Sequence, residues 1–243
     1  MKVEGGVGAI YFVGQSLLAM SDRYPSPEAA LADIRGLMAR SGRVLSLSGL
    51  SGVWAGACAL VAAALAYRAA GVAPLSGVDY YAAYYRQTGD VGAIEAYVFS
   101  RGLITMLVAL AGAVALTLRR SRSSGYDLWN ATSRALLTSL LVPLAAGGVL
   151  VLALWHHGAY GFSAAITLIF YGLALVAGSR YTVDEIRALG YCEIALGLLV
   201  AFFPGYGIDA WALGFGVLHI VYGLVMYRRH EAAGGAGAST AAS

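Results

Sequence analysis

Charge is what this chain has least of. Only 12% of its 243 residues are Asp, Glu, Lys or Arg, roughly half the share of an ordinary soluble domain. With 59% hydrophobic residues and a mean hydropathy of +0.71, such a chain cannot cover its own surface in water. The same abundance of apolar side chains excludes an extended disordered chain. Cysteine is nearly absent, and Cys58 and Cys192 both lie inside apolar runs, which excludes a disulfide scaffold. Catalytic signatures are missing too. There is no His-Glu-x-x-His, no Gly-x-Ser-x-Gly and no phosphate-binding loop. What remains is an integral membrane protein with no enzymatic motif.

A helix needs roughly 20 apolar residues to cross the hydrocarbon. Six stretches meet or approach that length: 45–67, 102–118, 135–154, 161–179, 188–204 and 208–227. None holds Arg or Lys, and none alternates apolar with polar as barrel strands do. The expected fold is therefore all-α, a polytopic transmembrane bundle occupying 45–229. Of the basic residues, 13 would lie on the N-terminal side of the membrane and only Arg68, Arg86 and Arg101 on the other. By the positive-inside rule both termini are cytoplasmic. Trp129, Trp155 and Trp211 fall at interfaces, whereas Trp54 lies inside the first span and does not fit an aromatic belt.

Residues 1–25 are read as a peripheral or disordered leader. They lack the basic start and the cleavage site of a signal peptide. At 26–44, Ser26 caps, Pro27 suits the first turn, and Leu31, Ile34, Leu37 and Met38 share one face. This amphipathic cytoplasmic helix either rests on the membrane or bundle, or docks a cytoplasmic protein partner. The loop 68–101 is the one long external segment. Its Tyr80, Tyr81, Tyr84 and Tyr85 form one aromatic face if helical, either a membrane anchor or a ligand platform. A second short helix is expected at 93–99. The inner loop 119–134 carries four arginines, which anionic lipid heads explain without a nucleic acid. The tail 230–243 is Ala, Gly, Ser and Thr rich and reads as flexible.

Ser48, Gly52 and Gly56 form a small-residue stripe, and Gly197, Gly216 and Gly223 suggest another, for close packing within a monomer or in a homo-oligomer. Pro143, with Gly147 and Gly148 after it, predicts a kink. An offset of 51 residues superposes Tyr171-Gly172-Leu173 on Tyr222-Gly223-Leu224, the trace of an internal repeat.

Gly197, Pro204 at the outer turn, Gly216 and Gly223 resemble the repeat of HdeD-type bacterial inner-membrane proteins, six-helix proteins linked to acid resistance. The stretch from Ser41 to Gly52, Ser-Gly-Arg-Val-Leu-Ser-Leu-Ser-Gly-Leu-Ser-Gly, is similar to one in a group of small uncharacterised six-helix bacterial inner-membrane proteins. That resemblance implies a multi-pass cytoplasmic-membrane topology and carries no activity, cofactor or site residue.

An ionisable residue inside a span is a functional candidate, because burying it is expensive. Glu193 and His219 are read as the two such residues, at similar depths on neighbouring helices, with Tyr222 and Tyr171 close in depth. Three roles compete. Glu193 could hydrogen-bond His219 or Tyr222 as a structural clasp. The carboxylate–imidazole pair could serve a pH sensor or a proton-coupled transporter or channel subunit. The cluster could line a small-ligand pocket open to the cytoplasm. His156-His157 lacks companions at metal-site spacing, so neither metal nor cofactor is expected. The leading expectation is a non-enzymatic sensory, stress-related or partner-regulating membrane protein, with the proton-coupled transporter as the alternative and an intramembrane enzyme third.

Overall fold

A computed structural model describes residue 31, residues 48–124 and residues 131–229, with side chains described over 48–119 and 131–229. The leader, all of the 26–44 helix except Leu31, Trp129 and the tail lie outside the described residues. The described residues are helical, with no strand among them. The elements are α1 (Gly49–Ala70), α2 (Tyr80–Thr88), α3 (Val91–Ser124), α4 (Ala131–His156), α5 (Ser163–Gly178), α6 (Asp184–Phe202), α7 (Gly207–Trp211) and α8 (His219–Tyr227), with a π-helical segment, Ala212–Leu218, joining α7 to α8.

Five helical stretches are long and apolar enough to cross a membrane: Gly49–Ala70, Val91–Arg119, Ala131–His156, Tyr160–Tyr181 and Pro204–Tyr227. The helix over the remaining expected span, α6, carries Asp184, Glu185, Arg187 and Glu193, which interrupt its apolar run. The exterior agrees with a lipid setting. Leu107, Leu141, Val149, Leu199 and Phe202 are among many large apolar side chains on the surface.

One expectation about local structure changes. The separate helix expected at 93–99 is part of α3, which runs unbroken for 34 residues because nothing between Val91 and Ser124 stops it. Pro143, where a kink is expected, lies inside α4, which is helical over Ala131–His156.

α1 packs on α3 and on the π–α8 rod, while α5 packs on α4 and α6. Glycine sets both close approaches. A Cβ at Gly56 would stand 2.6 Å from the Gly216 carbonyl oxygen, and one at Gly223 2.6 Å from that of Gly49. In the second pair, a Cβ at Gly172 would lie 2.6 Å from the Gly190 oxygen, and one at Gly197 2.8 Å from that of Ala165. The stripe on α1 is thus used inside the monomer. The 51-residue echo has a geometric counterpart. Ala165, Ile169 and Gly172 meet α6 as Gly216, Ile220 and Gly223 meet α1.

Trp54, unexplained by an aromatic belt, donates from Nε1 to the Val108 carbonyl of α3 at 3.1 Å, and Gly112 leaves room for its ring. At the other end of α1, Asp209 is a carboxylate inside the expected 208–227 span that the reading of ionisable residues passed over. Its Oδ1 accepts from Tyr67 Oη at 2.6 Å and from the backbone N–H of Leu75 at 2.8 Å. It ties the connection after α1 to the start of α7, where Leu75 adopts a left-handed φ of 59°.

Candidate functional site

Glu193 lies on the buried side of α6 and is 0% exposed. Space for its carboxylate exists because residue 214 has no side chain. A Cβ there would collide with Glu193 Oε2 and with Leu168. His219, at the first turn of α8, is 6% exposed. Its Nδ1 lies 2.9 Å from the Gly214 carbonyl oxygen and its Nε2 2.8 Å from Tyr171 Oη. A carbonyl only accepts, so Nδ1 carries the proton, and Nε2 of the neutral ring accepts from the tyrosine.

Glu193 Oε1 stands 3.5 Å from the same Nδ1. That separation is an ion-pair distance rather than a hydrogen bond. Neither Glu193 oxygen has a hydrogen-bond partner. The expected clasp is therefore corrected. Glu193 bonds neither His219 nor Tyr222, because the imidazole proton points at a backbone carbonyl. Buried polar groups in proteins are nearly always satisfied, which makes this carboxyl without a partner an exception.

The structure brings Glu193, His219 and Tyr171 together and leaves Tyr222 out. Tyr222 Oη instead meets Cys192 Sγ at 3.8 Å, on a different face of α6. The missed member is the π segment. It supplies Gly214, and π segments recur at functional positions in helices. Only the absence of a side chain at Gly214 and Gly216 hinted at it in sequence. Trp211, Phe215 and His219 then stack along this rod, with ring centroids 5.2 Å and 5.9 Å apart, and Tyr171 lies 4.9 Å from Phe215.

The external tyrosines divide. Tyr80 is buried, Tyr81 and Tyr84 are half-buried, and Tyr85 is exposed. Asp79 caps α2 by accepting from Ala82 N–H at 2.8 Å, and the helix packs on α1 and α3. Tyr84 packs 5.2 Å from Tyr97, and Tyr81 stacks on Tyr160 at 5.9 Å. The aromatic face thus faces protein, and of the four tyrosines only Tyr85 is exposed. Burial pushes the Tyr81 phenol up to about 12. Nearby, Tyr160 Oη donates to Glu95 Oε1 at 2.7 Å and Trp155 Nε1 to Ser163 Oγ at 2.7 Å, joining α3, α4 and α5 beneath α2.

Two cavities lie at this end of the bundle. The more apolar one, about 380 Å³, is lined by residues of α1, α2, α3, α4, α5 and α7. The other lies between the α1–α2 connection and α2. Neither is lined by Glu193 or His219. Among the described residues no group of three or more His, Cys, Asp or Glu is placed to hold a metal ion. No family model, curated protein or solved structure matches the chain.

Proposed function

We propose that this chain is a six-span protein of the bacterial cytoplasmic membrane, with both termini cytoplasmic, and that it serves as a proton-responsive sensory or partner-regulating protein. The observation that carries this reading is the divided geometry at His219. One imidazole N–H has two acceptors in reach, the Gly214 carbonyl at 2.9 Å and Glu193 Oε1 at 3.5 Å, and it takes the first.

Each protonation state of Glu193 favours a different acceptor. With the carboxyl protonated, the bond to Gly214 is retained. With it ionised, a charge-assisted bond from His219 to Glu193 competes with a neutral one to the backbone. Moving the ring by less than an ångström would exchange partners, releasing a carbonyl of the π segment and disturbing the Phe215–His219 stack. The π–α8 rod packs on α1, so such a change reaches the start of α1. The other titratable groups near this pair are Tyr171 on α5, and Tyr222 and Cys192, which bond each other.

The test is a pH titration of Trp211 fluorescence in nanodiscs, taken as wild type minus Trp211→Phe. A transition between roughly pH 5 and 8 that disappears in Glu193→Gln, with helicity unchanged, supports the reading. A transition that survives Glu193→Gln overturns it. Proton flux in proteoliposomes that Glu193→Gln abolishes would favour the proton-coupled transporter instead. The solid packing around Glu193 stands against that alternative.

A further inference from the structure

The outer cavity is independent of the Glu193 site. Its lining is overwhelmingly apolar, contributed by residues such as Ala63, Ala66, Val98, Met106 and Val151. At about 380 Å³ it sits at the low end of the roughly 300–1,000 Å³ range of small-molecule sites. Its side wall is open in the fold. α3 rests on α1, α4 rests on α5, and α3 and α4 make no extensive contact with each other. Leu103 and Met106 of α3 line the cavity and are also exposed.

Two polar features at the cavity are free to meet a ligand, a buried tyrosine hydroxyl and an exposed guanidinium. Tyr80 is 8% exposed, lines the cavity, and its buried hydroxyl has no hydrogen-bond partner. Arg101 also lines it, has no carboxylate partner among the described residues, and is held 5.6 Å from the centre of the Tyr97 ring. Asp79, the carboxylate in the lining, is engaged through Oδ1 as the N-cap of α2.

We propose that this cavity binds a single-chain anionic amphiphile of fatty-acid type, entering from the bilayer between α3 and α4. The alkyl chain fills the apolar interior, and the small volume suits one chain rather than two. The carboxylate head meets the Arg101 guanidinium, the strong pairing for such a group, and accepts from Tyr80 Oη. Burial raises the Tyr80 phenol above its ordinary range, so it remains a neutral donor for that head. The energetic logic is that of an amphiphile site generally, apolar surface for affinity and a few polar groups for orientation.

Trp155 and Trp211 line the cavity and report on it directly. The experiment adds 9,10-dibromostearate, whose bromines quench indole fluorescence, to the protein in phosphatidylcholine nanodiscs. Saturable quenching near one probe per protein is expected. Arg101→Gln should weaken it about tenfold, the scale of one lost charge-assisted contact. Gly102→Leu should reduce it, since Gly102 lines the cavity and a Cβ there meets nothing within 4 Å, which leaves room for a larger side chain at the cavity wall without a clash. Unaltered far-ultraviolet dichroism in both variants checks folding. Methyl dibromostearate, which lacks the charge, should bind wild type and Arg101→Gln alike. Quenching that never saturates, or a curve that is the same in wild type, Arg101→Gln and Gly102→Leu, overturns the proposal. An Arg101→Gln curve that superimposes on wild type while Gly102→Leu reduces quenching also overturns it, because the head would then not be read as an anion.

Discussion

Glu193 Oε1 lies 3.5 Å from His219 Nδ1, yet that nitrogen is bonded to the Gly214 carbonyl and the carboxyl is left without a partner. Gly214 is central to this relationship twice over. Its carbonyl holds the imidazole, and its missing side chain makes room for the carboxyl.

Gly214→Ala should therefore be costly in a specific way. The added methyl meets Leu168 Cδ2 at 2.6 Å and collides with Glu193 Oε2. We expect a loss of about 1–3 kcal/mol, typical of overpacking in a filled interior. Combining it with Glu193→Ala should recover part of that loss, because one of the two obstacles is gone. Thermal unfolding in detergent across the four-member cycle measures the coupling. Additive losses would show that Gly214 and Glu193 do not share the space described.

The glycines between α5 and α6 give a prediction of opposite sign to helix propensity. Gly→Ala in a helix normally stabilises by about 1 kcal/mol. Gly172→Ala and Gly190→Ala should instead destabilise, since each new Cβ would stand 2.6 Å and 2.8 Å from a facing backbone oxygen, which no rotamer change can relieve. Gly148→Ala, where a Cβ meets nothing within 4 Å, is the control and should be neutral or stabilising. Melting temperatures by circular dichroism in one detergent decide it. A stabilising Gly190→Ala would mean that the two helices are not in this close contact.

The outer tyrosine cluster makes stability fall at alkaline pH. Tyr81 is moved from an ordinary value of 10.0 to about 12, chiefly by burial. The folded protein then holds a proton that the unfolded chain gives up first. Stability from this group is complete below pH 10 and is lost as pH rises from 10 to 12. Tyr81→Phe should flatten that decline, measured as denaturation midpoints at stepped pH. An equally steep decline in the variant would place its cause elsewhere.

Much of the fold was legible because lipid removes the usual ambiguities. A backbone in hydrocarbon must satisfy itself, so long apolar runs are helices. The five long apolar helices were readable on that basis, and the closeness of Glu193, His219 and Tyr171 was anticipated from their similar depths in the apolar runs. Other features were not readable. Tyr222 shares a depth with Glu193 but not a face, and depth is all that spacing reveals. Asp209 stood at the edge of a span, where its two hydrogen bonds to Tyr67 and Leu75 could not be foreseen. The tyrosines of α2 showed one face in sequence, but whether that face met lipid or protein depended on where Asp79 starts the helix and on what lay beneath it.

The sequence by itself determined that the chain is a helical bundle with sparse internal charge, because composition and run length govern the free energy of placing a helix in an apolar medium. It also singled out Glu193 and His219, because so few ionisable residues occupy the apolar runs. The tertiary structure decided how that pair is used. Whether an imidazole proton faces a carboxyl or a carbonyl depends on ångström-scale placement, set here by a π segment and a residue without a side chain. Hydrogen bonds discriminate on that scale, and hydropathy does not.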